Sequence, residues 1–426
     1  MLDINEIRND PDRVRQALLK RAVHVDLTAF LRLDAAYREA RTTAENLRAE
    51  RKRVSAEIAA QRRAGAAAED LQTEAKELGE RVDAAEARMA AVEDDHHAFL
   101  AALPNLPDDD VVAGGKENNE VVRVTGDRPE FGFTPKDHVE LAEDLGLIDY
   151  RRGAKLGGTG SWVYRGQGAA LEWALLNHFL DAHRAAGFEF VLPPHVLTLE
   201  AGYTAGQFPK FEDDVFLVGD GDRFLLPTAE TALVNLHRGE TLDEAELPLR
   251  YVSYTPCYRK EAGSYRSAER GTLRGRQFNK VEMFAYARPE DSDAVHLELL
   301  ARAEELVAGL GLHHRVTKLA AGDITAAMAK TYDVEVWLPS LGTYAEVSSV
   351  SNGRTYQARR GRIRYRPQGG GKAPLGTRYL HTLNGSGLAT SRLVPAILEQ
   401  HQQADGTVVV PEVLRRWGLP EVLGGR

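Results

Sequence analysis

The chain has 426 residues, 43% of them apolar, with 27% charged residues and a net charge of -9. That is enough to bury full cores, and it favours two domains, because single cores rarely grow past roughly 250 to 300 residues. The charge argues against a protein that coats nucleic acid indiscriminately, no stretch approaches the roughly 20 apolar residues of a membrane helix, and the single Cys257 excludes an intrachain disulfide and a Cys-rich zinc site. A charged amino terminus without an apolar segment points to the cytoplasm and away from the membrane.

In chain order, Asp10 can cap a helix that starts at Pro11, where a missing N–H costs nothing. Phe30, Leu33, Tyr37, Ala40, Ala44, Leu47, Val54 and Ile58 then recur at steps of three and four, interrupted only by Arg51. After a break at Ala64 to Ala68 the spacing resumes with Leu71, Ala75, Leu78, Val82, Ala85, Met89, Val92, His96, Phe99 and Leu103. Two matched helices joined by a short turn predict an antiparallel coiled-coil hairpin. Helices of about 33 residues would be about 50 Å long, more than a globular core needs, so an arm is expected.

The two helices differ in charge. Residues 27 to 63 carry nine Lys or Arg against five Asp or Glu, and residues 64 to 100 carry three against ten. Arg48, Arg51, Lys52, Arg53, Arg62 and Arg63 gather toward the tip, where they could meet an RNA backbone. On the arm alone, a solvated coiled-coil face or a partner-binding stalk is at least as good an account.

Leu103-Pro104-Asn105-Leu106-Pro107 breaks helix and marks a linker. Beyond it, Leu171 to Ala186 and Ser292 to Gly309 read as helices, and Val215 to Val218 with Phe224 to Leu226 as a hairpin around Gly219 to Asp222. Short connections of this kind predict an antiparallel sheet with packed helices. Neither common glycine-rich phosphate loop is present, so arginines must handle any phosphate. Tyr251 to Glu261 and Gln277 to Phe284 predict two antiparallel strands around a polar loop, Ala262 to Arg276, with Arg259, Glu261, Phe278 and Glu282 near one another. His96-His97 and His313-His314 lack a third ligand at sensible spacing and read as structural; no zinc is expected. Arg359, Arg360, Arg362, Arg364 and Arg366 could share a strand face, and Gly369 to Arg378 reads as a surface loop.

The strand-loop-strand around Arg259-Lys260-Glu261 resembles motif 2 of class II aminoacyl-tRNA synthetases. Gly187 to Pro194 resembles motif 1, and Asn384-Gly385-Ser386-Gly387 through Arg392 resembles motif 3. With Thr228-Ala229-Glu230, Glu346-Val347-Ser348-Ser349 and the hairpin, the whole chain resembles bacterial seryl-tRNA synthetases. The resemblance implies an α+β fold: a long amino-terminal antiparallel coiled-coil hairpin, then a class II antiparallel sheet domain flanked by helices. It places a tRNA-binding domain at 1–103, with the arm over about 27–103, a linker and leading strand at 104–134, and a catalytic domain at 135–426.

The resemblance further implies activation of L-serine by ATP to seryl-adenylate and transfer to tRNA(Ser), which has a long variable arm, with tRNA(Sec) as a further candidate. Arg259 would hold the α-phosphate and the serine carboxylate, and Arg392 the outer phosphates of a bent ATP. Phe278 would stack on adenine near Glu261, with Lys260, Gly275, Val347 and Ser348 also bordering ATP. Glu346 and Ser349 would hold Mg2+, an oxygen-only arrangement suited to a hard ion. Thr228, Ala229, Glu230, Arg259, Glu282, Asn384 and Ser386 would bind serine, and Arg259, Arg392 and Glu346 would carry the chemistry. A homodimer through motif 1 is also implied. Arg276 stands where the family commonly has His and Val350 where Cys is common; neither removes a group the reaction needs, and a housekeeping copy and an inhibitor-resistant second copy both stay open.

Overall fold

The computed structural model describes residues 1–261, 270–368 and 376–424. They form two compact units, one of 2–18 with 23–104 and a larger one of 1, 19–22 and 105–426. Residues 105–134, read above as linker and leading strand, are counted in the larger unit. Residues 262–269 of the expected polar loop and 369–375 of the glycine-rich insert lie outside the described residues.

In the smaller unit, Asp10 accepts from the backbone N–H of Arg13 and so caps the helix Pro11–Lys20, as its position before Pro11 predicts. The hairpin consists of α1, Leu27–Arg63, and α2, Glu69–Ala102. Asp26 caps α1 through the N–H groups of Thr28 and Ala29. Every residue of the predicted seam is buried or half-buried, with Phe30, Ala44 and Val54 fully enclosed. Tyr37 donates to Glu93 at 3.2 Å and Arg48 to Glu86 at 2.5 Å, which sets the antiparallel register.

The seam also holds a residue that its apolar spacing does not announce. Asp34 is fully buried, bound by Arg8 at 2.7 and 2.8 Å and by His96 at 3.2 Å. Burial alone would raise its carboxyl, but the Arg8 and His96 contacts hold it below its usual value. His96 stacks on Tyr37 and packs against Phe30, a structural role.

The larger unit is built on an eight-stranded sheet. Its strands are β1 (Glu120–Thr125), β2 (Glu189–Phe190), β3 (Leu249–Tyr258), β4 (Gln277–Ala287), β5 (His314–Lys318), β6 (Lys330–Leu338), β7 (Thr343–Asn352) and β8 (His381–Ala389). The order is β1-β5-β6-β7-β8-β4-β3-β2, antiparallel except for the parallel pair β3–β2. Helices α3 (Gly166–Ala185), α4 (Ser292–Gly309) and α5 (Thr390–Gln400) supply Leu171, Leu175, Leu299, Ala303, Leu393 and Ile397 to one core. Alternation of side chains brings Val281, Met283 and Ala285 of β4, with Val334 and Val336 of β6, to the same core. Lys280, Glu282 and Phe284 therefore face the other way, and that second face carries the polar groups described below.

The predicted hairpin is present as Leu217–Val218 paired with Arg223–Leu225, and Gly219 and Gly221 take positive φ at its turn. The arginine run does not share a strand face. Arg359 and Arg360 lie on the helix Tyr356–Gly361, Arg362 caps that helix in a left-handed conformation, and only Arg364 and Arg366 lie on a strand. The linker residue Asn105 is buried, donating to the carbonyls of Ala327 and Gly353. His313 pairs with Gly126 and Tyr344, and His314 with Leu312.

Candidate active site

A buried cluster of polar side chains forms where β4 and β8 run side by side. The register sets Glu282 opposite Ser386 and Phe284 opposite Asn384, so Glu282 and Asn384 converge. Asn384 donates to Glu282 at 3.0 Å and to Glu230 at 3.2 Å. Lys280 lies 2.5 Å from Glu282 and donates to the Thr228 hydroxyl at 2.7 Å, and Thr228 donates to Glu282 at 3.4 Å. All five residues are buried, with the fully buried Ala229 lying between Thr228 and Glu230. Ser386 is buried as well, and its carbonyl accepts from Ser348 at 2.6 Å.

Two members of this pocket are absent from the sequence reading. Lys280 had a signal, since it stands two residues before Glu282 on a strand and must share its face. Gln357 had none: it reaches in from a separate helix and donates to Glu230 at 2.7 Å. Burial first, then the nearby Glu282, pushes the Glu230 carboxyl up to about 7. The Asn384 Oδ1 is buried without a hydrogen-bond partner among the described residues. A pocket with spare acceptors and two carboxylates is built for a small ligand rich in donors, an ammonium above all.

The second part of the site lies toward the end of β3 and β4. Strand β3 ends at Tyr258, earlier than the expected Glu261, and Glu261 itself takes a left-handed φ of 55°. Arg259 donates to the Pro227 carbonyl at 3.3 Å, and its guanidinium lies 5.2 Å from the Phe278 ring. Its backbone N–H bonds the Arg276 carbonyl, which holds the two strand ends together. Lys260 is tied by its N–H to Asp214, and the Glu261 carboxylate is engaged by Arg274. Glu282 belongs to the buried polar cluster with Asn384 and Lys280, several residues along β4 from Phe278, so the expected foursome divides between two places. At Gly275 a Cβ would come 2.1 Å from the Trp162 ring, so only glycine fits. Arg276 is exposed, and Val350 is buried on the core side of the sheet, away from the polar face.

Arg392, on the first turn of α5, donates to the Glu346 carbonyl at 2.8 Å and lies 3.4 Å from the Glu346 carboxylate. Its Nε donates to the Leu273 carbonyl at 3.3 Å. Simple alternation would put Glu346 and Ser349 on opposite faces of β7. A bulge prevents this: Glu346 pairs with Glu335 and Ser348 with Val334, leaving Val347 as an extra residue. Ala345, Val347 and Val350 all pack in the core, so Glu346 and Ser349 share the polar face.

Asp333 pairs with Ser349 across the strands and is buried. Burial and then Glu346 push its carboxyl well above the usual range, and its Oδ1 has no hydrogen-bond partner among the described residues. An oxygen-only group with a buried carboxyl that is costly to ionise alone and an orphaned acceptor fits a hard divalent cation, whose charge would favour the ionised form. Among the described residues no three His, Cys, Asp or Glu side chains form a complete metal cage. In the other unit, Arg48, Arg51, Lys52, Arg53, Arg62 and Arg63 are all exposed, Arg48 against Glu86 and Arg53 against Glu57.

Comparison with known proteins matches residues 1–107 to the seryl-tRNA synthetase N-terminal domain and residues 216–401 to the tRNA synthetase class II core domain (G, H, P, S and T). Serine–tRNA ligase 2 of Clostridium acetobutylicum is 55% identical, over 98% of this chain and 99% of that one. Serine–tRNA ligase of Thermodesulfovibrio yellowstonii is 45% identical, over 97% and 98% respectively. The crystal structure of seryl-tRNA synthetase from Pyrococcus horikoshii complexed with ATP superposes with a TM-score of 0.89 at 35% identity, over 99% of both chains.

Proposed function

The chain belongs to the seryl-tRNA synthetase family, and on that premise we propose that it joins L-serine to ATP, forming seryl-adenylate and pyrophosphate, and then transfers the seryl group to the terminal ribose of tRNA(Ser). The observation that carries this reading is the buried polar pocket of Thr228, Glu230, Lys280, Glu282 and Asn384, placed beside Arg259. An ammonium suits the two carboxylates and a hydroxyl suits Asn384 and Ser386. An apolar side chain would leave these groups unpaired, which penalises alanine strongly.

In the first step a serine carboxylate oxygen attacks the α-phosphorus and pyrophosphate leaves. A carboxylate needs no strong base, so the site must align the reactants and stabilise developing negative charge. Arg259 serves both by bridging the serine carboxylate and the α-phosphate, its planar fork matching each. Phe278 offers a stacking face for adenine, beside Lys260, Glu261 and Gly275. Arg392 takes the outer phosphates from the opposite side, near Glu346, Val347 and Ser348. Glu346 and Ser349 would hold Mg2+, which supplies charge neutralisation at the phosphates.

Residues 1–103 are assigned to tRNA binding and 135–426 to catalysis. The exposed basic residues of α1 meet the backbone of the long variable arm. Phe190, Leu192 and Val196, exposed around Pro193 and Pro194, form an apolar patch that supports a homodimer. No helix among the described residues is long and apolar enough to cross a membrane, in keeping with an enzyme of the cytoplasm.

The test is pyrophosphate exchange with each amino acid in turn, followed by charging of unfractionated tRNA. Exchange with serine together with serylation supports the assignment. Activation without charging points instead to a ligase that loads a different carrier, and no activation with any amino acid to a non-catalytic relative.

The Glu230 carboxyl also predicts a pH dependence. It is raised to about 7, so below that pH it is protonated and cannot pair with the serine ammonium. The KM for serine should therefore rise as pH falls below about 7, approaching tenfold per unit. A serine KM that is flat from pH 8 to pH 6 at saturating ATP would remove Glu230 from ammonium binding.

A further inference from the structure

Behind the ATP subsite, on the helix side of the sheet, Glu172 of α3 is buried and takes no part in the chemistry described above. One carboxylate oxygen, Oε1, accepts from two places at once. It receives the Asn279 side-chain amide at 2.8 Å and the Thr390 hydroxyl at 2.6 Å. Asn279 is the neighbour of Phe278 on β4, and its own Oδ1 accepts from Tyr254 of β3 at 3.1 Å. Thr390 begins α5, two residues before Arg392. The second oxygen, Oε2, has no hydrogen-bond partner among the described residues, and neither does the hydroxyl of Tyr164.

We propose that Glu172 is a positioning residue for ATP: a single carboxylate oxygen ties the strand that presents Phe278 to the helix that presents Arg392. The inference rests on the placement of adenine at Phe278 and of the outer phosphates at Arg392. A hydrophobic residue could fill the same space, but it would leave Asn279 and Thr390 unpaired and free to shift. An ångström of misalignment between stacking ring and guanidinium is enough to weaken a bent nucleotide held at both ends.

The carboxyl has a second consequence. Burial pushes it up to about 7, against the hydrogen bonds from Thr390 and Asn279 that favour its charged form. The ionisable groups that face it are phenols: Tyr164 from the strand Val163–Tyr164, with Tyr150 behind it from the helix Tyr150–Gly157, and Tyr254 from β3. Burial raises all three, so they stay neutral as Glu172 titrates. Lys280 and Arg392 are turned to the other side, toward Thr228 and Glu282 and toward Glu346. Deprotonation turns both hydrogen bonds at Oε1 into charge-assisted ones, roughly twice as strong. The tie tightens as pH rises through about 7. The stability sign runs opposite: an acid whose pKa is raised on folding costs stability increasingly as pH climbs from its unfolded value toward 7.

Glu172→Gln keeps the acceptor and the shape but cannot ionise. In pyrophosphate exchange from pH 6 to 9, the ratio of the variant's KM for ATP to that of the wild type should rise about fivefold across pH 7. The KM for serine should have the same profile in both proteins, and the variant should melt no lower than the wild type at pH 8. Comparing the two profiles cancels the ionisation of ATP and of Glu230, which both proteins share. Thr390→Val should raise the KM for ATP, and combined with Glu172→Gln it should cost less than the two separate effects multiplied. Parallel ATP profiles, multiplicative losses in the double variant, or a lower melting temperature with equal effects on serine and ATP would overturn the tie. Failure of the underlying placement looks different, because Arg392→Ala would then exchange normally.

Discussion

Arg392→Ala is expected to lower serine-dependent pyrophosphate exchange on the order of a hundredfold or more, the scale of losing a preorganised charge stabiliser. The guanidinium is held in place by the protein's own backbone. Carbonyls of Glu346 and Leu273 hold two of its nitrogens, and about a third of the side chain stays exposed on the polar face. Because its partners are mostly backbone oxygens, the loss should appear in adenylate formation with little change in melting temperature. The KM for serine should move little, since the side chains proposed to bind its ammonium and hydroxyl are not among the partners of Arg392. Arg392→Lys should recover only part of the loss, because a point charge cannot reproduce two parallel hydrogen bonds. Exchange within about threefold of wild type in the alanine variant would remove Arg392 from phosphate binding.

Deleting Ala40 to Met89, with a short glycine linker closing the gap, is expected to separate the two steps. Tyr37 meets Glu93 and Arg48 meets Glu86, so the cut ends lie side by side on the paired helices. The buried Asp34 cluster with Arg8 and His96 lies below the cut and should hold the shortened hairpin together. Pyrophosphate exchange should stay near normal, because no residue of the candidate active site lies in the deleted segment. Charging of tRNA should fall on the order of a hundredfold or more as six exposed cations are lost with the arm. In the full-length protein, each neutralised phosphate-contacting residue should lower the salt dependence of tRNA binding by a slope of about one. Equal loss of exchange and charging would refute the division of labour between the hairpin and the sheet domain.

Much of this organisation was legible from local patterns. Steps of three and four marked both hairpin helices, and the seam residues are buried or half-buried as that spacing requires. The strands around Arg259 and Phe278 pair as their alternation suggested. What the patterns missed were groups whose role depends on distant partners. Asp34 lies outside the apolar spacing, yet it is fully buried and paired with Arg8 from an earlier helix. The arginines at 359–366 suggested one face, but a helical turn and a left-handed cap divide them.

The sequence by itself determined the hairpin, the alternation of the two strands that carry Arg259 and Phe278 and, through ordered motifs, the family and its reaction. These follow from neighbours in the chain, since side-chain direction is set by a local period of two or 3.6 residues. Tertiary structure decided which polar groups work together. Gln357 meets Glu230 across 127 positions, Thr390 meets Glu172 across 218, and Asp333 joins Glu346 and Ser349 only because a bulge at Val347 reverses the alternation of β7. Such contacts depend on strand register and helix docking, and a one-residue change of register turns every side chain beyond it to the opposite face.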